Sequence, residues 1–205
     1  MIQANLVTAP LDEETARAEV YGLLAALFYA APSAELHAGL GVAVTEAPAP
    51  GAMLERSWGE LVAAARESCL ADISREYDTL FGGVGRPEVY LFGSHYLSGF
   101  LNEKPLAALR ADISELGLAR DETLPETEDH VAYLCEVMRY LIAGDDVEVA
   151  NLTRQRAFFT RHLQPWLPAM CDAIENHPKA RFYAALAVFT NSFISVEIQG
   201  FDMLV

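Results

Sequence analysis

The chain has 205 residues, with 14 Lys and Arg set against 29 Asp and Glu, a formal net charge of −15. That balance disfavours a nucleic-acid role, which depends on clustered bases against phosphate. With 52% hydrophobic residues the acidity does not signal disorder, which requires low hydrophobicity together with high charge.

The first segment, Met1 to Pro10, has no basic stretch followed by an apolar run, so no export signal is expected and the protein is placed in the cytoplasm. Val20, Leu23, Leu24, Leu27 and Phe28 then recur on one helical face that ends before Pro32. The run from Ala47 to Gly51 is a loop, and Ile73, Tyr77, Leu80 and Phe81 mark the next helix. Between Phe81 and Gly93 four glycines and a proline interrupt the pattern. A further break spans Gly117 to Glu126, after which Val131, Leu134, Cys135, Met138 and Ile142 resume it. Arg154, Arg156, Arg161 and His162 interleave with Phe158, Phe159, Leu163 and Trp166, an amphipathic helix whose arginines are expected to be solvated or paired with Asp145, Asp146 or Glu148.

Phe182, Ala185, Leu186, Phe189 and Phe193 form the last apolar face. Asn191 and Ser192 interrupt the stretch and Glu197 follows it, which falls short of the ~18 clean apolar residues of a membrane span, so a buried helix without stable membrane insertion is expected. The fold class is therefore all-α, a single helical domain of about ten helices. The break near residues 117–127 separates an N-terminal lobe of residues 1–117 from a C-terminal lobe of residues 127–205.

Chemistry is sparse. GxSxG, HExxH and His pairs at i and i+4 are all missing, which leaves neither a catalytic group nor a metal site to assign. Cys69, Cys135 and Cys171 are far apart and odd in number, so they are expected to be three packed thiols in a reducing compartment. The Gly82 to Gly85 run follows a helix rather than a strand and lacks the Lys of a phosphate loop. Asp121, Glu122, Glu126, Glu128 and Asp129 place five carboxylates in nine residues. Two readings stand: helix capping, with Thr123 or Thr127 as N-cap and acids in the first turn, or a polar edge at Asp129 and His130 that faces a ligand.

Three segments, between about Arg17 and Trp166, together resemble the TorD/DmsD/NarJ family of chaperones for molybdoenzymes. Tyr77-Asp-Thr-Leu80-Phe81 with Gly83 and Gly85 is similar to that family's aromatic-x-x-Leu-Phe motif and Gly-Pro-Gly loop, with Val84 in place of proline, and Tyr90, Ser94 and Tyr96 follow it. Glu126-Thr127-Glu128-Asp129-His130 resembles its Glu-Pro-x-Asp-His signature, with Thr127 in place of proline. Phe158, His162, Leu163, Pro165 and Trp166 resemble its third run.

The resemblance implies a non-enzymatic cytoplasmic chaperone with no cofactor of its own. It would bind the signal peptide, often of twin-arginine type, and the apo form of a molybdopterin-containing oxidoreductase until the cofactor is inserted and export can proceed. Tyr77, Leu80, Phe81, Tyr90, Ser94, Tyr96, Glu126, Asp129 and His130 would form the peptide site, an apolar groove with a polar edge. A guanine-nucleotide switch and a plain helical assembly module are the alternatives. The partner is protein rather than nucleic acid, and the chain is expected to be a monomer or a domain-swapped dimer.

Overall fold

Glu13–Tyr29 forms α1, and its buried side chains Tyr21, Leu24, Ala25 and Phe28 lie on one face, as their three- and four-residue spacing dictates. This computed structural model describes residues 13–45, 52–82, 86–101, 104–120, 123 and 125–203. Outside them lie the N-terminal segment behind the export reading, the Ala47 to Gly51 loop, Gly83 to Gly85 with Val84, and the acids Asp121 and Glu122. After α1 come α2 (Ala34–Val42), α3 (Glu55–Glu67), α4 (Leu70–Leu80), α5 (Gly93–Ser98) and α6 (Lys104–Glu115). They are followed by α7 (Val131–Ala143), α8 (Leu152–His162), α9 (Leu167–Glu175) and α10 (Phe182–Asp202). The all-α expectation is borne out, with one isolated antiparallel bridge, Phe92 to His130, and no strand among the described residues.

Local chemistry sets the helix ends. Ser33 and Asn151 accept the Leu36 and Arg154 backbone N–H groups as N-caps of α2 and α8. Gly117, at φ 72°, turns the chain out of α6 so that the Leu118 N–H reaches the Ile113 carbonyl at 3.1 Å. The first N–H groups of α10 are satisfied from another helix: the Glu76 carboxylate on α4 accepts from Arg181, Phe182 and Tyr183 at 2.8, 3.2 and 2.8 Å.

α10 is long and apolar enough to cross a membrane by length and composition, yet Phe182, Tyr183, Leu186 and Phe193 are wholly or almost wholly buried in the protein core. It packs against α3, α4 and α9, while α1 packs along α7, so helices from both sides of the 117–127 connection share one core. Glu197, buried in that core, accepts two hydrogen bonds from Arg17 at 2.7 and 2.9 Å and one from the Tyr21 hydroxyl at 2.9 Å. Gln155 also accepts from Arg17 and donates to the Leu141 carbonyl, so one polar network pins α1, α7, α8 and α10 together.

Three expectations need correction. Cys135 and Cys171 are buried, but Cys69 is exposed, because it precedes α4 on its outer side and donates to Asp72. Arg161 pairs with Asp112 on α6 at 2.8 Å rather than with Asp145, Asp146 or Glu148. The N-cap of α7 is neither Thr123 nor Thr127. It is His130, whose Nδ1 accepts the Ala132 N–H, and the first turn of α7 holds no acid.

Candidate functional site

The segment before α7 is tied to the start of α5 by backbone bonds, Gly93 N–H to the Asp129 carbonyl and Val131 N–H to the Leu91 carbonyl, both 2.9 Å. This lock brings the predicted residues into two aromatic assemblies on either side of Asp129 and His130. Asp129 is only 4% exposed, and its oxygens are both engaged. Oδ2 accepts the Ser94 N–H at 2.9 Å, and Oδ1 accepts the Thr127 hydroxyl at 2.6 Å. The carboxylate thereby caps α5 from a distant part of the chain.

On the Ser94 side, Tyr96 stacks on Trp166 at 5.6 Å and donates to the Tyr90 carbonyl, while Tyr90 stacks on His95 at 4.0 Å. Gly93 is required here: a Cβ would meet the Trp166 indole at 3.0 Å. Trp166 in turn donates to the His162 carbonyl at 2.6 Å, and its stacking on Tyr96 joins the third sequence segment to the first. A small cavity of about 200 Å³ lies between Ser94, Asp129, Arg161, His162 and Trp166.

On the other side, His130 lies edge-on to Phe92 at 5.0 Å and packs against Tyr29 and Tyr133 at 6.4 and 5.8 Å. Burial pushes its imidazole down to about 4, against a smaller opposing pull from Asp129, so the ring is neutral near pH 7. Tyr77 donates to the Tyr29 carbonyl at 2.6 Å, satisfying the open end of α1, and packs with Phe81 and Tyr183 at 5.2 and 5.7 Å. Leu80 is fully buried beneath this cluster.

Glu126 sits half-buried at its edge. Desolvation first, and the Glu126 charge after it, push the Tyr77 phenol up to about 12. Tyr133 is raised to about 12 by desolvation, then Tyr29, with Glu126 contributing. The Tyr133 hydroxyl lies near Tyr29, but is buried without a well-formed hydrogen bond.

The carboxylates of the acidic run thus divide by task. Glu128 is held by Arg110 through two bonds of 2.9 Å, and Asp129 caps α5. Glu126 has no hydrogen bond or ion pair to another described residue. Of the nine predicted site residues, Tyr77, Phe81, Tyr90, Tyr96 and Glu126 keep partial exposure, whereas Leu80, Ser94, Asp129 and His130 are buried supports. Sequence reasoning missed Tyr29 and Tyr133, whose rings lie 6.0 Å apart, the Tyr133 phenol within reach of the Glu126 charge. Tyr133 carried a signal, being an aromatic outside the Val131, Leu134, Cys135 and Met138 stripe. Among the described residues no group of three or more potential metal ligands occurs.

Fold and site together define an all-helical protein with an aromatic basin, at whose rim Glu126 has no hydrogen bond or ion pair to another described residue. Residues 48–172 match the family described as nitrate reductase delta subunit, and the chain belongs to that family. It is 27% identical over 205 residues to a chaperone protein TorD of Vibrio cholerae serotype O1, covering 92% of this chain and 93% of that relative. Similar proteins of the same name occur in Vibrio parahaemolyticus serotype O3:K6, 22% identical over 140 residues, 64% of this chain and 65% of the relative, and in Shewanella loihica. The latter is 26% identical over 145 residues, 65% of this chain and 64% of the relative. These relatives are named as chaperones, not as enzymes, and the resemblance drawn from the three sequence segments is borne out.

Proposed function

We propose that this protein is a cytoplasmic chaperone of molybdoenzyme maturation that binds the signal peptide of its apo-enzyme client at the basin around Glu126. One observation carries the reading: Glu126 is the carboxylate of the 126–129 stretch without a hydrogen-bond or ion-pair partner among the described residues, and its charge acts on Tyr77 and Tyr133, the latter packed with Tyr29. A guanidinium can pair with a carboxylate through two parallel bonds and lie against an aromatic face, so a peptide arginine finds both partners there. The half-buried Phe81 and Phe92 offer apolar surface to the segment that follows. Asp129 and His130 hold the basin in shape from behind, and the chemistry is binding and release.

The test is titration of a labelled peptide bearing two adjacent arginines and an apolar tail into the wild type, Glu126→Gln and Asp129→Asn. Loss of a charge-assisted pair costs about 1.5–3 kcal/mol, so Glu126→Gln should weaken binding by roughly ten-fold or more. Asp129→Asn should lower thermal stability through its cap. Unchanged affinity in Glu126→Gln would overturn the assignment of the basin.

A further inference from the structure

A pinned turn after α5 presents large apolar side chains to solvent: Leu97, Phe100 and Leu101 are 43, 72 and 42% exposed. Gly99, at φ 78°, donates its N–H to the His95 carbonyl, and the Ser98 hydroxyl donates to the Ser94 carbonyl at 2.7 Å and lies 3.0 Å from that of Phe100. The same patch contains a hole. Leu97 and Pro105, on the two sides of Phe100 in the chain, line the cavity of about 200 Å³, with Ala108, Leu109, Leu134 and Trp166 completing its apolar wall. Its charged and titratable groups are already engaged inside the molecule, Asp129 with Ser94 and Thr127, Arg161 and His162 with Asp112. Apolar surface is what remains to be covered, and an apolar cavity of about 150 Å³ is enough to hold a benzene ring.

We propose that two copies of this chain associate here about a two-fold axis, each inserting Phe100 into the cavity of the other. The occupant is a second copy because knob and hole lie on one patch, and a two-fold axis is the operation that satisfies both at once. Charge points to the same face. At −15 the copies repel one another over most of their surface, but the stretch from Val89 to Asn102 carries no Asp, Glu, Lys or Arg. The three exposed side chains offer about 300 Å² per copy and the walls they cover as much again, so the pair buries about 1,200 Å², the lower end of a specific interface. The dimer is therefore reversible and of modest affinity. Cavity and basin lie on opposite sides of Asp129 and His130, so the association leaves the basin open and stands or falls apart from the peptide reading.

Sedimentation of the full chain from micromolar to millimolar concentration, at low and high salt, tests it. Wild type should show a monomer–dimer equilibrium that strengthens with salt, because salt screens the repulsion between copies. Phe100→Ala should weaken it by about a hundred-fold or more, since two anchoring rings are lost and each is worth at least about ten-fold. Ala108→Trp, which fills the cavity from α6, should do the same. Met203→Ala removes a side chain that is 80% exposed elsewhere and should leave the equilibrium unchanged. Mixing Phe100→Ala with Ala108→Trp brings one intact knob to one intact hole, so the mixture should dimerise more strongly than either variant alone. A wild type that stays monomeric throughout overturns the proposal. So does a dimer indifferent to both variants, as exchanged helices would give, or a mixture no stronger than its components.

Discussion

Replacing His130 with Asn tests how the site is built, because Asn is a favoured N-cap and can keep accepting the Ala132 N–H while removing the titrating ring. In the folded protein burial holds His130 down to about 4 from an ordinary 6.5. Between those values the unfolded chain binds a proton that the folded chain refuses, so stability falls as pH falls through this window. The contribution is fully present above pH 6.5 and is lost toward pH 4. A displacement of that size corresponds to about 3 kcal/mol. A proton on Nδ1 would also remove the acceptor that caps α7.

Urea unfolding of wild type and His130→Asn at pH 7.5, 6, 5 and 4.5 measures the effect. The packing lost with the ring lowers stability at every pH and cancels in the slope. His95 and His162, both lowered by burial, remain in both proteins and cancel as well. Wild type should lose about 2–3 kcal/mol more than the variant on acidification. Parallel slopes would refute a neutral, buried His130.

Arg17→Met strands the buried Glu197 carboxylate and should cost about 3–5 kcal/mol, while Arg17→Met with Glu197→Leu should recover much of that in denaturant melts. Glu76→Ala leaves three N–H groups at the start of α10 without their acceptor and should cost about 1–2 kcal/mol, with amide exchange accelerated at Arg181 to Tyr183. Binding of the arginine-pair peptide should weaken as salt rises, since exposed charges are screened beyond about 8 Å at physiological ionic strength. An affinity flat across salt would assign the energy to the aromatic surface instead.

The long helices were legible because each needed only its own residues: Val131, Leu134, Cys135 and Met138 declare one buried face whatever lies opposite. The start of α7 was not legible in the same way. Thr123 and Thr127 are good caps by type, yet His130 takes the position because the Phe92 bridge and the Val131 to Leu91 bond set the direction of the chain there. Arg161 likewise had acids nearer in sequence than Asp112, but α6 lies closer in space.

The sequence by itself determined the helical class, the family and the two chain segments, 77–96 and 126–130, that meet at the site. These are properties of residue order, and periodicity and motif spacing record them directly. Tertiary structure alone decided which carboxylate lacks a hydrogen-bonding partner among the described residues. Glu126, Glu128 and Asp129 are chemically alike and nearly adjacent, and they differ only because Arg110 and the Ser94 N–H arrive from helices 18 and 35 residues away. Those partners engage Glu128 and Asp129 and leave Glu126 at the rim.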